Sequence, residues 1–251
     1  MSVPDWLISA PDEYEEYNLG PLKAGKEAEV FVVERVLGDR SCLLAHKRYR
    51  PRKVATKGEL EALGFQRSAA FVNDHAYRAN RRVPDSRAQR AVERKTALGR
   101  QILAMTWPAE EVAMLTKLWS AGVHVPYPVE PTGDGVLMQY LGDRAGAAPP
   151  LARARLSRTE AVVAAGQIVE DLHRMMAVGV VHADLSPYNI LWWEDRTWII
   201  DLPQAVDIVA NVDAFDFLIR DLRNVGSWFS RQGVAFDADA LFAELMAEAF
   251  S

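Results

Sequence analysis

Three residues lie at a spacing that phosphoryl transfer can use. Asp184 and Asn189 stand five residues apart in Val181-His182-Ala183-Asp184-Leu185-Ser186-Pro187-Tyr188-Asn189, and Asp201 closes Ile199-Ile200-Asp201 twelve residues later. Moving a phosphoryl group needs one carboxylate at the incoming nucleophile. It also needs an amide and a second carboxylate to hold Mg²⁺ on the phosphates. Taken singly these residues say little, because Asp and Asn are ordinary residues of surface turns. Together, between an amphipathic helix and an apolar hairpin, they are specific. His182 reads as a structural hydrogen-bonding residue rather than an acid–base group.

The H-x-D-x-x-x-x-N spacing is that of a kinase catalytic loop. Such a site takes a lysine at the end of a strand and a glutamate on the next helix from the other half of the chain. Lys47 ends the apolar stretch Ser41–Lys47, and the simpler alternative is that it belongs only to the basic run Lys47-Arg48-Tyr49-Arg50. Glu111 precedes Leu115 and Leu118 by four and seven residues, which puts it on their helix face. A carboxylate on a buried face needs a cation, and pairing with Lys47 satisfies both.

The elements that must position these residues follow from the pattern. Ala28–Glu34 and Ser41–Lys47 read as strands joined by a turn at Gly38-Asp39, with a glycine-containing loop, Gly20–Glu27, ahead of them. Arg48–Met105 is polar and basic, and its Ser86–Leu103 stretch has helical character. A helix is expected from Pro108 to Ala121, stopped by Gly122. Gly135–Leu141 reads as a strand and Gly142–Pro150 as a connector between two lobes. Ser157 and Glu160 form a capping box, followed by Ala161, Ala165, Ile168, Leu172 and Met175 at helical spacing. Ile190–Trp193 and Thr197–Ile200 make a hairpin. Phe215, Leu218, Leu222, Val225 and Phe229 form one stripe, and a last helix runs from Asp237 to Phe250. The expected organisation is an N-terminal extension (1–19), an N-lobe (20–142) with a long basic insertion (48–105), and a C-lobe (143–251).

Composition excludes several classes. The 251 residues are 49% hydrophobic and 25% charged with a net charge of −5, which fits neither a disordered chain, a collagen-like repeat nor a disulfide scaffold. Cys42 stands alone, so no intramolecular disulfide forms. No apolar run reaches the roughly 18–20 residues of a membrane span, and the opening residues do not form a leader. A cytoplasmic protein without membrane contact is the expectation. The charge is uneven: His46–Arg100 holds 15 Lys+Arg against 5 Asp+Glu, leaving 14 against 29 elsewhere. Such a +10 segment suits either a solvated helical face or an anionic partner.

Gly25-Lys26-Glu27-Ala28-Glu29-Val30-Phe31, His182–Asn189 and Ile199-Ile200-Asp201-Leu202-Pro203-Gln204 together resemble the RIO kinases, from about Gly20 to Phe229. An ordinary protein kinase would carry G-x-G-x-x-G and D-F-G where this chain has GKEAEVF and Asp201-Leu202-Pro203. Arg220-Asp221 and Trp228-Phe229 resemble the family's closing helix. The resemblance implies an α+β, two-lobed protein-kinase-like fold, with a small N-lobe built on an antiparallel sheet and a mostly helical, truncated C-lobe. It implies ATP and Mg²⁺ as cofactors, with Mn²⁺ as an alternative ion. Lys47 would contact the ATP phosphates and Glu111 would hold it. Met138 would back the adenine pocket, with the backbone of Gln139 and Leu141 on the adenine edge. Asp184 would be the catalytic base, and Asn189 and Asp201 the metal ligands. RIO proteins are also thought to work as ATPases through a phosphorylated form of the aspartate that Asp201 matches. Lys26 is read equally as a phosphate contact and as an exposed loop lysine. Ser68 and Ser86 are candidate autophosphorylation sites, with ordinary loop serines the simpler reading. With only some twenty residues before Gly20, no counterpart of the winged helix of the family's larger members is expected.

Three functions compete. The first is a RIO-type serine/threonine protein kinase or autophosphorylating ATPase acting on an unidentified protein substrate. The second is a small-molecule phosphotransferase of the aminoglycoside- or choline-kinase sort, against which Ala183, Ser186-Pro187-Tyr188 and the short stretch after Asp201 argue. The third is a scaffold binding RNA or a ribonucleoprotein through the basic segment 46–100. A scaffold has no need of the full Lys/Glu/Asp/Asn/Asp set.

Overall fold

The computed structural model describes residues 3–9, 13–25, 28–49 and 97–250, with side chains described from Pro108 onward in the last segment. Lys26, Ser68, Ser86 and most of the basic insertion lie outside the described residues. A five-stranded antiparallel sheet forms the N-lobe in the order β1 (Glu15–Ala24), β2 (Ala28–Leu37), β3 (Arg40–Tyr49), β5 (Gly135–Gln139), β4 (Pro128–Pro131). Helix α1 (Ala97–Ser120) enters the chain between β3 and β4. Three further helices build the C-lobe: α2 (Arg158–Ala177), α3 (Ala214–Arg231) and α4 (Ala238–Ala249). Short strands β6 (Gly142–Asp143), β7 (Gly146–Ala147) and β8 (Val180–Val181) precede the hairpin of β9 (Ile190–Trp193) and β10 (Arg196–Ile199), which lies between α2 and α3 in the chain. This is the two-lobed α+β architecture expected.

Local chemistry explains most of these elements. The β2 run AEVFVVERVL is rich in β-branched and aromatic residues, which favour a pleated, half-buried surface. Ser157 Oγ accepts the Glu160 N–H while the Glu160 carboxylate accepts the Ser157 N–H, the reciprocal box that starts α2. Gly122 ends α1 at φ +80°, with Val123 N–H bonded to Leu118 C=O and Gly122 N–H to Trp119 C=O. That pair is a Schellman motif, and only a residue at ease with positive φ can make it. Its Val123–Leu118 contact sinks into the main core. Buried Asp171 of α2 then takes the N–H and Nδ1 of His124 and the Arg174 guanidinium, tying the end of α1 to α2.

Two apolar clusters result. The larger runs from Leu115 and Leu118 of α1 through α2 and the β9–β10 hairpin to Leu222, Phe229 and Leu245. The smaller lies behind the sheet, where Leu7 and Ile8 pack with Val33, Cys42, Leu44, Tyr127 and Leu137. Buried Arg35 fixes that N-terminal stretch through Ile8 C=O, Glu16 and Glu130.

Several expectations need correcting. Gly20–Glu27 is not simply a loop, because β1 runs from Glu15 to Ala24. Gly20 at φ +112° and Pro21 are accommodated by two register shifts on an edge strand, where a missing N–H breaks no ladder. The sheet therefore begins before Gly20. Helix α1 starts at Ala97, so Pro108 lies inside it rather than in its first turn. The Ala-, Leu- and Met-rich stretch ahead of it favours helix strongly enough to carry one proline. Gly142–Pro150 contains a short hairpin, Gly142–Asp143 with Gly146–Ala147.

Gly135 has a specific reason to be glycine. A Cβ there would stand 1.8 Å from the Lys47 carbonyl oxygen and 2.8 Å from its carbon, both backbone atoms of β3. Gly135→Ala is expected to destabilise the chain by about 1–3 kcal/mol, as overpacking does, read as a lower urea midpoint. An unchanged midpoint would show that β5 does not press on β3 at this point.

Candidate active site

The cleft is organised around one buried ammonium. Lys47 on β3 is 8% exposed, and its Nζ donates to Glu111 Oε1 at 2.7 Å and to Asp201 Oδ1 at 3.0 Å. Glu111 is itself buried, and its second oxygen accepts the Tyr49 hydroxyl. Burial works to lower the Lys47 pKa, but the charges of Glu111 and Asp201 outweigh it and hold the ammonium above its usual range. Burial likewise works to raise Asp201, and the Lys47 charge and hydrogen bond outweigh it, holding the carboxyl below the usual range. Half of the Asp201 side chain still opens to the cleft.

The loop carrying Asp184 and the strand leading to Asp201 are stitched together through one residue, Ile200. Ile200 N–H donates to Asn189 C=O at 3.0 Å, and His182 Nε2 lies 3.0 Å from Ile200 C=O. A carbonyl only accepts, so Nε2 carries the His182 proton. Burial pushes the His182 pKa down, which keeps the ring neutral. This is the structural role expected of His182. Asn189 Nδ2 donates to the Asp184 carbonyl at 2.9 Å and lies 3.4 Å from its carboxylate. The amide nitrogen thus faces the loop while the amide oxygen is not used there.

Two non-glycine residues pay a conformational penalty at this junction: Ala183 at φ 63° and Asp201 at φ 67°. Such backbone costs on the order of 1–3 kcal/mol per residue and persists only where the surroundings hold it. Helix α3 does the holding for Ala183. Arg220 donates to the Ala183 carbonyl at 2.5 Å, and neighbouring Asp221 is buried beneath the same loop. Neither Asp221 carboxyl oxygen closes a hydrogen bond, and the Arg220 guanidinium stands 3.6 Å away. Burial therefore dominates, only partly offset by the nearby Leu185 and Ala183 N–H groups and Arg220, and pushes the Asp221 pKa up to about 7.

At the other end of the cleft Met138 pairs with Ala45 of β3. Gln139 N–H is committed to the Tyr127 carbonyl at 2.8 Å, and the Leu141 carbonyl accepts Ala148 N–H at 2.9 Å. The Leu141 N–H has no acceptor among the described residues.

The structure thus brings Lys47, Glu111 and Asp201 into contact and places Asp184 and Asn189 on one short loop beside them. Tyr49 is an addition that motif reading did not supply, and Arg220, which the sequence offers only as part of the closing-helix resemblance, gains its contact with the Ala183 carbonyl. Tyr49 was legible in principle, since residues two apart in a strand share a face. Asp221 carries the same signal as Glu111, a carboxylate three residues after Leu218 and four before Val225 on a buried stripe. The Asn189 amide oxygen and the Asp201 carboxylate form an oxygen-only set, which suits a hard divalent ion that keeps waters among its other ligands.

Residues 69–241 match the RIO domain family. Over 223 residues the chain is 30% identical to the RIO-type serine/threonine-protein kinase Rio1 of Haloferax volcanii, covering 89% of this chain and 67% of that protein. Over 147 residues it is 33% identical to the Rio1 kinase of Thermoplasma acidophilum, covering 59% and 76%. A mouse serine/threonine-protein kinase, RIO3, is 34% identical over 139 residues, covering 54% and 26%.

The raised Asp221 pKa has a signed consequence. Unfolded, this carboxyl ionises near its ordinary 3.8, whereas folded it keeps its proton to about 7. The folded state therefore binds the extra proton between those values, and stability from this group falls as pH rises through that window. Asp221→Asn cannot ionise. Its melting temperature relative to the parent is expected to rise from pH 5 to pH 8; a pH-independent difference would show that Asp221 does not titrate there.

Proposed function

We propose, for a chain that belongs to the RIO kinase family and is a serine/threonine protein kinase using ATP and a divalent metal ion, how its residues divide the work and that the ion is Mg²⁺. The observation that carries the assignment is the Lys47–Glu111–Asp201 contact beside the Asp184–Asn189 loop.

Glu111 fixes Lys47, and Lys47 binds the ATP phosphates as a point charge at the mouth of β3. Leu141 offers its free N–H to the adenine edge, and Met138 with Ala45 forms the wall behind the base. Asp184 accepts the proton of the incoming serine or threonine hydroxyl as its oxygen bonds to the γ-phosphorus and the bond to ADP breaks. Asn189, through its amide oxygen, and Asp201 would hold the metal ion, which when bound would neutralise the phosphate charge. Glu111 keeps the Lys47 ammonium aimed. The half-open Asp201 carboxylate also suits the ATPase mode, in which that residue takes the phosphoryl group. The small-molecule phosphotransferase reading is not favoured, since the named relatives are protein kinases.

The location and partners belong to the same proposal. No helix of the described residues is long and apolar enough to cross a membrane, in keeping with a cytoplasmic protein. The basic segment 46–100 contacts RNA or a ribonucleoprotein; removing Arg and Lys between Arg78 and Arg100 is expected to flatten the salt dependence of that binding, and an unchanged slope would refute it.

The deciding experiment is transfer from labelled ATP, with and without cell extract. Asp184→Ala is expected to lose about 10²–10⁴-fold, the usual worth of a positioned general base. Asp201→Ala is expected to abolish metal-dependent turnover. A parent protein with no magnesium-dependent nucleotide binding would sink the assignment.

A further inference from the structure

A cavity of about 530 Å³ opens on the far side of the catalytic loop, between Ser186–Tyr188 and the carboxyl-terminal half of α3. Buried Trp228 forms its apolar wall, and Ser186, Tyr188, Asn224, Arg231 and Gln232 line the rest. No aspartate or glutamate among the described residues lines it. Tyr188 is 63% exposed, an aromatic ring presented to solvent within four residues of Asp184.

The polar groups here are unspent. The side chains of Ser186, Asn224, Arg231 and Gln232 make no hydrogen bond or ion pair among the described residues. Other arginines of the same helix are committed: Arg220 to the Ala183 carbonyl and Arg223 to Asp239. Arg231 is not needed to cap α3 either. The N–H groups of Gln232, Gly233 and Val234 already take the Trp228, Phe229 and Ser230 carbonyls. Arg231 is exposed, and its guanidinium is therefore unpaired at the rim of a cavity lined by donors and no anion.

We propose that this cavity seats an anionic side chain, a carboxylate or a phosphate, on the protein substrate close to the phosphorylated serine or threonine. This rests on the kinase assignment above and adds the substrate class. A guanidinium presents a donor fork that matches carboxylate and phosphate oxygens. Ser186, Asn224 and Gln232 supply further donors, while buried Trp228 and the exposed Tyr188 ring give the substrate chain apolar surface to lie on. The placement is right for a flanking residue. Ser186 is two residues from Asp184, at most about 7 Å of chain, and an extended peptide advances about 3.3 Å per residue. A residue within a few positions of the acceptor thus reaches the cavity while its neighbour meets Asp184. The Pro187 carbonyl accepts Ala152 N–H at 3.0 Å, which holds the rim in place.

The test is a set of peptides that share one acceptor serine and carry Glu, phosphoserine, Ala or Lys at the flanking positions. The Glu or phosphoserine peptide is expected to exceed the Ala peptide by up to about fivefold in kcat/KM, chiefly through KM, with Lys the poorest. The better of the two anions identifies the natural group. Arg231→Glu is expected to invert the order and make the Lys peptide best. Arg223→Gln, on the same helix but committed to Asp239, is expected to keep the parent order. Equal kcat/KM for all peptides, or the parent order persisting in Arg231→Glu, would overturn the proposal. Failure of the parent to phosphorylate any peptide would instead count against the kinase assignment. Anisotropy of the labelled Glu and Lys peptides then decides the cavity, with loss of Glu-peptide binding in Arg231→Glu supporting it and unchanged binding overturning it.

Discussion

Burying the Lys47 ammonium is the constraint on which the cleft depends. Taking an ammonium out of water costs several kcal/mol unless partners with good geometry replace the lost hydration. The two partners come from residues 64 and 154 positions away, Glu111 and Asp201. Satisfying one side chain therefore sets β3, α1 and the C-lobe in a common register. Gly135 lets β5 press against the Lys47 backbone, and Tyr49 takes the Glu111 oxygen that Lys47 leaves free. The position of α1 is thereby an electrostatic matter at its middle and an apolar one at its end, where Leu115 and Leu118 enter the main core.

The second constraint is backbone strain at the chemical junction. Ala183 and Asp201 hold left-handed conformations that alanine and aspartate rarely adopt. Each flanks a group that must be aimed rather than merely present. His182 donates to the Ile200 C=O and the Asn189 C=O accepts the Ile200 N–H, so Asp184 and Asp201 cannot drift apart without breaking both bonds. The histidine of the H-x-D pattern thus works as a tie: buried, neutral and with its Nε2 proton on a carbonyl.

Legibility from sequence divided along a physical line. Features fixed by neighbours in the chain could be read: the Ser157–Glu160 box, the β9–β10 hairpin, the Phe215–Phe229 stripe and the Asp184/Asn189/Asp201 spacing. Glu111 could be read as well, because a carboxylate on an apolar helix face demands a cation. What escaped is fixed by partners distant in sequence. Exposed Tyr17, Leu19 and Leu22 with Gly20 and Pro21 look like a loop, and they form a strand only because β2 offers its backbone along that edge. Pro108 is a start signal by local rules, overridden by the helix-forming stretch before it. Arg220 gives no local hint that it reaches across to the Ala183 carbonyl.

Helix α3 gathers these consequences onto one face. Asp221, Asn224, Trp228 and Arg231 recur at steps of three, four and three residues, the spacing of a single helical stripe. Its amino-terminal part, with Arg220, supports the strained Ala183 peptide, and its carboxyl-terminal part lines the cavity beside Ser186 and Tyr188. The interior half of the stripe carries a buried carboxylate that costs stability near neutral pH, while the outer half carries an unpaired guanidinium. A helix serving packing alone would have an apolar residue at the buried Asp221 position. The two charged groups instead mark where α3 meets the loop that performs the transfer: one beneath it, where geometry must be held, and one beside it, where a polypeptide must be received.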